Sequence, residues 1–350
     1  MSENKNIHPL VTIGIPVYNV ESFVEKCLLS VLNQTYNNLE ILTVDDCGND
    51  KSMDIIYRLQ KEHPYGDRIK VIKQPCNMGL GEARNAAIEH ASGKYLYFLD
   101  SDDFIEPNTI ELMLKEAEMS QTDIVLSSSR CVNFETGDIT PGFSYKKHLV
   151  VEGDDGFANI VCKDLRWNVT VTSWNILFSI EFLRKNNLRF SIRTCEDSLF
   201  LSDYYSCVKK AVLLPNITYN YVLRRGSLMG YGIRSSIPVW EIRERLKGDA
   251  IMTERSRKLI NRSFFDVHCS RVMKHKFRAV CVALRHRSRF TEKLTYKELG
   301  SDLKHPATFF EILRFKRYKM FNIGFYFIGI LPYPISVRIV YVIGKLIHWI

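Results

Sequence analysis

The sequence predicts an α/β protein: a mostly parallel sheet flanked by helices, continued by a helical, basic and apolar C-terminal extension. Three observations predict it. Short β-branched runs alternate with helix-period stretches over the first two thirds of the chain. Acidic clusters stand where two of those runs end. Charge is also unevenly divided: residues 240–350 hold 23 Lys and Arg against 9 Asp and Glu, a balance of +14, while residues 1–239 hold 25 against 30, a balance of −5. The chain is therefore expected to divide into a domain over 1–235 and a helical region over 236–350 with different partners.

The first run, "LVTIGIPVY", reads as a strand, and "ESFVEKCLLSVLNQ" places Phe23, Val24, Cys27, Leu28, Val31 and Leu32 on one helical face. "LEILTVDD" is strand-like again. The alternation continues through "DIIYRLQKEH", "RIKVIKQ", "GEARNAAIEHA", "KYLYFLD", "PNTIELMLKEAE" and "DIVLSSS". Such βαβ alternation implies parallel strands with helices on both faces, and ligands then bind at the carboxyl ends of strands. "CVNFETGDITPGFSYKKH", within 130–175, reads as an irregular loop.

Downstream, "VWEIRERLKGDAIMTERSRKLI" and "VHCSRVMKHKFRAVCVALRHRSRF" read as helices rich in Lys and Arg. The final stretch is apolar and aromatic, but Pro332 and Pro334 break it and Arg338 and Lys345 interrupt it, so no spanning helix is expected. Two readings remain for 314–350. One is an interfacial anchor lying on an anionic leaflet; the other is a helical subdomain packed on the catalytic core or on a second subunit.

Other classes are disfavoured. The nine cysteines are scattered, with no C-x-x-C spacing, and read as reduced thiols rather than a zinc site or a disulfide frame. "MSENKNIHPL" carries no apolar secretory segment, which points to the cytoplasm. Gly79 and Gly81 in "GLGEARN" suit a loop before a helix but lack the dinucleotide spacing of a Rossmann dehydrogenase. No recognition motif accompanies the basic charge, which argues against nucleic acid.

The chemistry is concentrated in three acidic stretches. "YLYFLDSDDF", residues 95–104, gathers Asp100, Asp102 and Asp103, whose repulsion asks for a divalent cation with oxygen ligands. "VDDCGND" carries Asp46 and Asp50. Each cluster has a plainer role: Asp46 and Asp50 could cap the helix near Lys51, and Asp102 or Asp103 the helix that Pro107 opens. Two clusters at adjacent strand ends shift the balance toward a nucleotide and its metal. In "RTCEDSLF", Glu196 and Asp197 either stabilise a helix N-terminus through its dipole or take part in chemistry.

Together these residues resemble the GT-A-fold glycosyltransferases of family 2. The matching elements are "IPVYN" at 15–19, "SVLNQTYNNLEILTVDDCGND" at 30–50, "NMGLGEARNAAIEHASGKYLYFLDSDD" at 77–103, and "SWNILF" with "EDSLF" near 173–200. The resemblance covers roughly residues 10–230. Cys47 departs from it, since the family more often has Gly there; Gly48 is expected to supply the tight turn instead.

The resemblance implies an inverting enzyme of hexosyltransferase type using a nucleoside-diphosphate sugar, with UDP as the nucleotide, in polysaccharide synthesis. Pro16 and Tyr18 would border the base and Asp46 would accept its hydrogen bond. Asp102 would ligate Mg²⁺ or Mn²⁺, with Asp100 facing the ribose or the metal. Asp197 would be the general base that takes the acceptor hydroxyl's proton, with Glu196 as positioner. Arg224 or Arg225 in "YNYVLRRGSLMG" could reach the diphosphate, or form a solvated basic turn. Trp174 could stack on an acceptor sugar or fill the core. The rival readings are a nucleotidyltransferase, which would release pyrophosphate, and a degenerate member acting as a binding or scaffold protein.

Overall fold

The computed structural model describes residues 8–163, 172–193, 196–224 and 234–350. They divide between two compact units, one drawn from Met1–Phe157, Val169–Arg193 and Cys207–Arg224, the other from Ala158–Asn168, Thr194–Ser206 and Arg225–Ile350.

In the first unit the alternating runs become β1 (Val11–Val17), α1 (Val24–Leu32), β2 (Leu39–Asp45), α2 (Ser52–Glu62), β3 (Ile69–Lys73), α3 (Leu80–His90), β4 (Tyr95–Phe98), β5 (Phe104–Ile105), α4 (Thr109–Ser120) and β6 (Ile124–Asn133). The stretch expected to be irregular instead contains β7 (Ile139–Pro141) and β8 (Leu149–Glu152). All of β7 is exposed and only Val151 of β8 is buried, so neither carries the apolar alternation that marks a strand. Along the chain then come α5 (Gly156–Val161), β9 (Ile176–Ser179), α6 (Ile180–Lys185), α7 (Glu196–Tyr205) and the long β10 (Lys210–Leu223), of which α7 and most of α5 belong to the second unit.

The strands form one mixed sheet in the order β3-β2-β1-β4-β9-β6-β10-β5, with β7 on β6 and β8 on β10. The block β3-β2-β1-β4 is parallel, as the βαβ pattern requires. Beyond it β9 runs antiparallel to both β4 and β6, and β10 lies parallel to β6. Every residue of β1 and β2 is buried, the mark of parallel strands covered on both faces.

Two residues of β1 set the geometry of the site. At Gly14 an added Cβ would lie 2.9 Å from Cβ of Ala87, so α3 rests directly on the strand. Pro16 has no amide to donate, and β1 tolerates it because pairing with β4 stops at Gly14 opposite Phe98. From there the strand keeps only β2 as a neighbour, and a gap opens between the ends of β1 and β4.

The second unit is helical: α8 (Val239–Ser256), α9 (Phe265–Arg285), α10 (Tyr296–Ser301), α11 (Phe309–Leu313), α12 (Lys319–Ile330) and α13 (Tyr333–Leu346), besides α7. Phe277 and Val280 of α9 pack with Leu246 of α8, Leu299 of α10 and Val337 and Val340 of α13. Capping boxes start α10 at Thr295 with Glu298 and α11 at Thr308 with Glu311. His268 is buried between Tyr205 Oη and Ser256 Oγ, and burial pushes its imidazolium down to about 3. Pro332 marks the expected break between α12 and α13. Among the described residues no helix is long and apolar enough to cross a membrane.

Candidate active site

The parallel ends of β2, β1 and β4 bring three stretches distant in sequence to one edge of the sheet: Asp45–Asp50, Val17–Asn19 and Leu99–Asp103. Asp46 is buried just beyond β2, its amide donating to Val17 O at 3.0 Å. Its carboxylate accepts the amides of Met78 at 2.6 Å and Gly79 at 2.9 Å, fastening the loop that leads into α3. Burial pushes this carboxyl up, against the two amides and the nearby Arg193. Asp46 therefore does not cap α2. The N-cap residue of α2 is Lys51, and Asp50 just before it accepts Ser52 N at 3.0 Å and Glu21 N at 2.8 Å.

The turn between Asp46 and Asp50 corrects the expectation for Gly48. Cys47 itself takes the left-handed conformation, with φ of 59°. Its amide donates to Asp45 Oδ1 and its Sγ contacts Gln74 O at 3.2 Å. Gly48 is needed for a different reason, since a Cβ there would lie 2.9 Å from both the amide nitrogen and Oδ1 of Asn19. That close approach lets Asn19 Oδ1 accept the amide of Asn49 at 2.8 Å, joining the turn to the end of β1. Tyr18 stands beside this junction, about half exposed, while Pro16 is buried in the strand.

The second acidic stretch is held by side chains. Arg84 of α3, fully buried, donates from Nη2 to Asp100 Oδ1 at 2.8 Å. Arg224, just past β10, donates from Nε to Asp102 Oδ2 at 2.7 Å, and its guanidinium lies 5.0 Å from the ring centre of Phe23. The antiparallel pairing of Asn220 with Phe104 puts Arg224 there. Burial first, then Asp100, pushes the Asp102 carboxyl up, and Arg224 opposes both. Asp103 points inward, accepting Tyr219 Oη at 2.6 Å and Val222 N at 2.7 Å. Burial, then Asp102 and Asp100, pushes its carboxyl well above the usual range. Neither Asp102 nor Asp103 caps α4, whose N-cap residue is Asn108.

Of the two readings of Trp174, the structure supports the core. The side chain is 9% exposed, stacked on Tyr219 at 4.4 Å and on Tyr221 at 5.6 Å, and it is not an open platform for a sugar. The exposed ring near the acidic corner is Phe134, 4.6 Å from Phe23. Arg225 lies outside the described residues. Glu196 and Asp197 form the first turn of α7, in the second unit, where a carboxylate also complements the helix dipole.

Arg84 and Tyr219 were not anticipated as parts of the corner, and Asp103, expected there as a cation partner or a cap, instead accepts from Tyr219 and Val222. Only Arg84 had a local signal. It sits among Ala83, Ala87 and Ile88 on the buried face of α3, where a charge is tolerated only with a partner.

The family model described as "Glycosyl transferase family 2" matches residues 12–199. The chain is 32% identical over 225 residues to glycosyltransferase GlyA of Streptococcus pneumoniae serotype 4, which covers 62% of this chain and 31% of that protein. It is also 32% identical over 232 residues to the putative glycosyltransferase EpsH of Bacillus subtilis, 63% of each chain. The match thus spans about a third of GlyA and just under two thirds of EpsH. Among solved structures, TarS 1–349 of S. aureus, crystallised in complex with UDP, superposes with a TM-score of 0.68 at 17% identity, over 96% of this chain and 91% of that one. That likeness concerns the fold, and it extends through the mixed sheet and the helical region. With more than half of its length inside the family match, the acidic strand ends included, the chain belongs to glycosyl transferase family 2 and has its GT-A fold.

Proposed function

We propose that the protein is an inverting glycosyltransferase that moves a sugar from a nucleoside-diphosphate sugar, with UDP as the nucleotide, to a hydroxyl of a saccharide or lipid-linked saccharide during glycan synthesis. The observation that carries this reading is the pair Asp100 and Asp102 at the strand ends, each with one oxygen engaged by an arginine. Support for the donor comes from relatives of the fold, since TarS was crystallised with UDP and with UDP-GlcNAc. A poly(ribitol-phosphate) beta-glucosyltransferase of Bacillus spizizenii, 30% identical over 220 residues, supports a polymeric acceptor.

The residues fit a divalent cation, Mg²⁺ or Mn²⁺. Asp100 and Asp102 are hard oxygen donors two residues apart just past the end of β4. Among the described residues no three or more acidic, His or Cys side chains converge as a closed cage. That suits an ion held by one or two carboxylates and the substrate's own phosphates. When bound, the ion supplies charge neutralisation at the diphosphate leaving group.

The remaining work falls to the protein. Asp46, with the loop at Met78 and Gly79, and the end of β1 at Pro16 and Tyr18 receive the base. Arg224 has a guanidinium suited to bidentate phosphate contact, as does Arg225 by sequence. Asp197 takes the proton from the acceptor hydroxyl as the new bond forms, and Glu196 positions it. In this reading the protein works in the cytoplasm, peripherally at the inner face of the membrane, with an anionic lipid contact through 314–350.

Asp197→Asn tests the mechanism. Asn caps a helix about as well as Asp, so the melting temperature should hold while transfer falls by roughly two to four powers of ten and UDP binding survives. Near-normal transfer would sink the assignment. Release of UDP from the donor separates transfer from nucleotidyl chemistry, which releases pyrophosphate, and from a binding module, which releases neither.

A further inference from the structure

We infer that α11, α12 and α13 form an interfacial surface that docks the protein on an anionic lipid bilayer through two apolar stripes bordered by lysines and arginines. The first observation is that α12 carries apolar residues on its outer face as well as on its inner one. Its fully buried residue is a polar one, Asn322, which donates to Ser270 Oγ at 2.7 Å and to Tyr318 O at 2.9 Å and meets His305 Nε2 at 2.9 Å. Ile323 and Tyr326 pack with Phe265 and Phe315, and Phe325 and Ile328 with the cluster around Phe277, but a further apolar stripe faces outward: Met320 is 76% exposed, and Phe327 and Ile330 about half or more. A helix in water normally keeps that outer face polar.

The second observation lies on α13. Ser336, Val337, Val340 and Gly344 face inward, while Ile335, Ile339, Val342 and Ile343 line a shallow apolar groove with Arg338 at its side. Leu346 continues that stripe at 74% exposure, and Phe310 of α11 adds a ring at 76%. Roughly half of the exposed large apolar side chains among the described residues fall between Phe309 and Ile350. Patches of this kind mark a partner or a membrane.

Charge selects between the two. From Ile312 to Ile350 the sequence holds six Lys or Arg and no Asp or Glu. Arg317 is engaged by Asp266, whereas Arg314, Lys316, Lys319 and Lys345 are exposed. A second copy would bring the same positive surface against this one, and like charges repel. Anionic headgroups complement it, and the apolar stripes reach the acyl boundary. The surface develops the membrane contact proposed above and does not depend on the catalytic reading, since lipid binding is scored without substrate.

The test is co-sedimentation of the full chain with vesicles of phosphatidylcholine alone or mixed with phosphatidylglycerol. Wild type should pellet with the mixed vesicles and much less with the neutral ones, more weakly at high salt. Lys316→Glu/Lys319→Glu/Lys345→Glu should cut partitioning by on the order of a hundredfold, about fivefold per basic residue removed. Met320→Ser/Phe327→Ser/Leu346→Ser should cut it at least about tenfold. UDP binding and the melting temperature are followed in each variant. Should the serine variant melt early, the charge variant, altered only at exposed positions, still decides the matter. Wild type left in the supernatant, variants that partition like wild type, or a solution dimer that dissociates in the serine variant without any vesicle binding would each overturn the inference.

Discussion

The two acidic clusters at the sheet edge look alike in sequence and are held in different ways. At the end of β2, Asp46 and Asp50 are satisfied largely by backbone amides, those of Met78, Gly79, Glu21 and Ser52. At the end of β4, Asp100 and Asp102 are satisfied by the guanidinium groups of Arg84 and Arg224. Amides are fixed by the fold and bring no net charge, so a carboxylate they hold stays in place. A guanidinium neutralises the carboxylate from a side chain, fixed by burial at Arg84 and partly exposed at Arg224. In the proposed reading, the first arrangement suits recognition of a neutral base, and the second suits a corner that a divalent cation joins.

Four substitutions break or sharpen this contrast. Asp102→Asn should do most, lowering transfer by on the order of 10² to 10³, the range for removing one preorganised electrostatic group. Its fold should survive, because Arg224 can still donate to the amide oxygen. Calorimetry with Mn²⁺ and UDP alongside a transfer assay measures it, and unchanged affinity and rate would remove Asp102 from the site. Arg84→Met leaves Asp100 without its buried partner and should cost about 3 kcal/mol of stability, discounted for the partial exposure of Asp100. Thermal unfolding reads that loss, and a melting point within a degree or two of wild type would mean the pair holds little.

Asp46→Asn is smaller. One of its two amide partners would meet an NH₂ group instead of an oxygen, a mismatch of about 1–3 kcal/mol that should loosen the loop at Met78 and Gly79. UDP affinity should fall about tenfold with stability nearly intact, whereas equal loss in both would make Asp46 a structural residue only. Asp103→Asn should change least, and its effect should depend on pH. The native state holds the Asp103 proton, which the unfolded chain releases as pH rises past about 4, so wild type loses stability from there upward. The amide mimics the protonated acid, accepting from Val222 N and donating to Tyr219 Oη. Relative to wild type the variant should therefore gain stability as pH rises above about 4. A deficit that widens with pH would show that Asp103 is ionised in the fold.

The parallel half of the sheet was legible because each of its strands repeats one local pattern, an apolar run followed by a helical period. The antiparallel half was not. β7 and β8 are exposed edge strands, and β9 is four residues long, so none carries a pattern of its own. The same limit applied to the site. Asp46, Asp100 and Asp102 could be placed at strand ends from spacing, but which positive group meets which carboxylate depends on pairings such as Asp102 with Arg224, 122 residues apart. Turn chemistry also misled: glycine marks positive φ in general, yet here Cys47 takes it and Gly48 serves close packing.

Gly14 carries a consequence for the history of such sequences. The added Cβ that would stand 2.9 Å from Ala87 means that the gap between β1 and α3 is one methyl wide. Any ancestor that placed alanine at position 14 had to accept glycine at position 87 or tilt α3, and a tilt would carry Arg84 away from Asp100. The two small residues should therefore mutate as a linked pair across homologous chains, although neither touches a substrate.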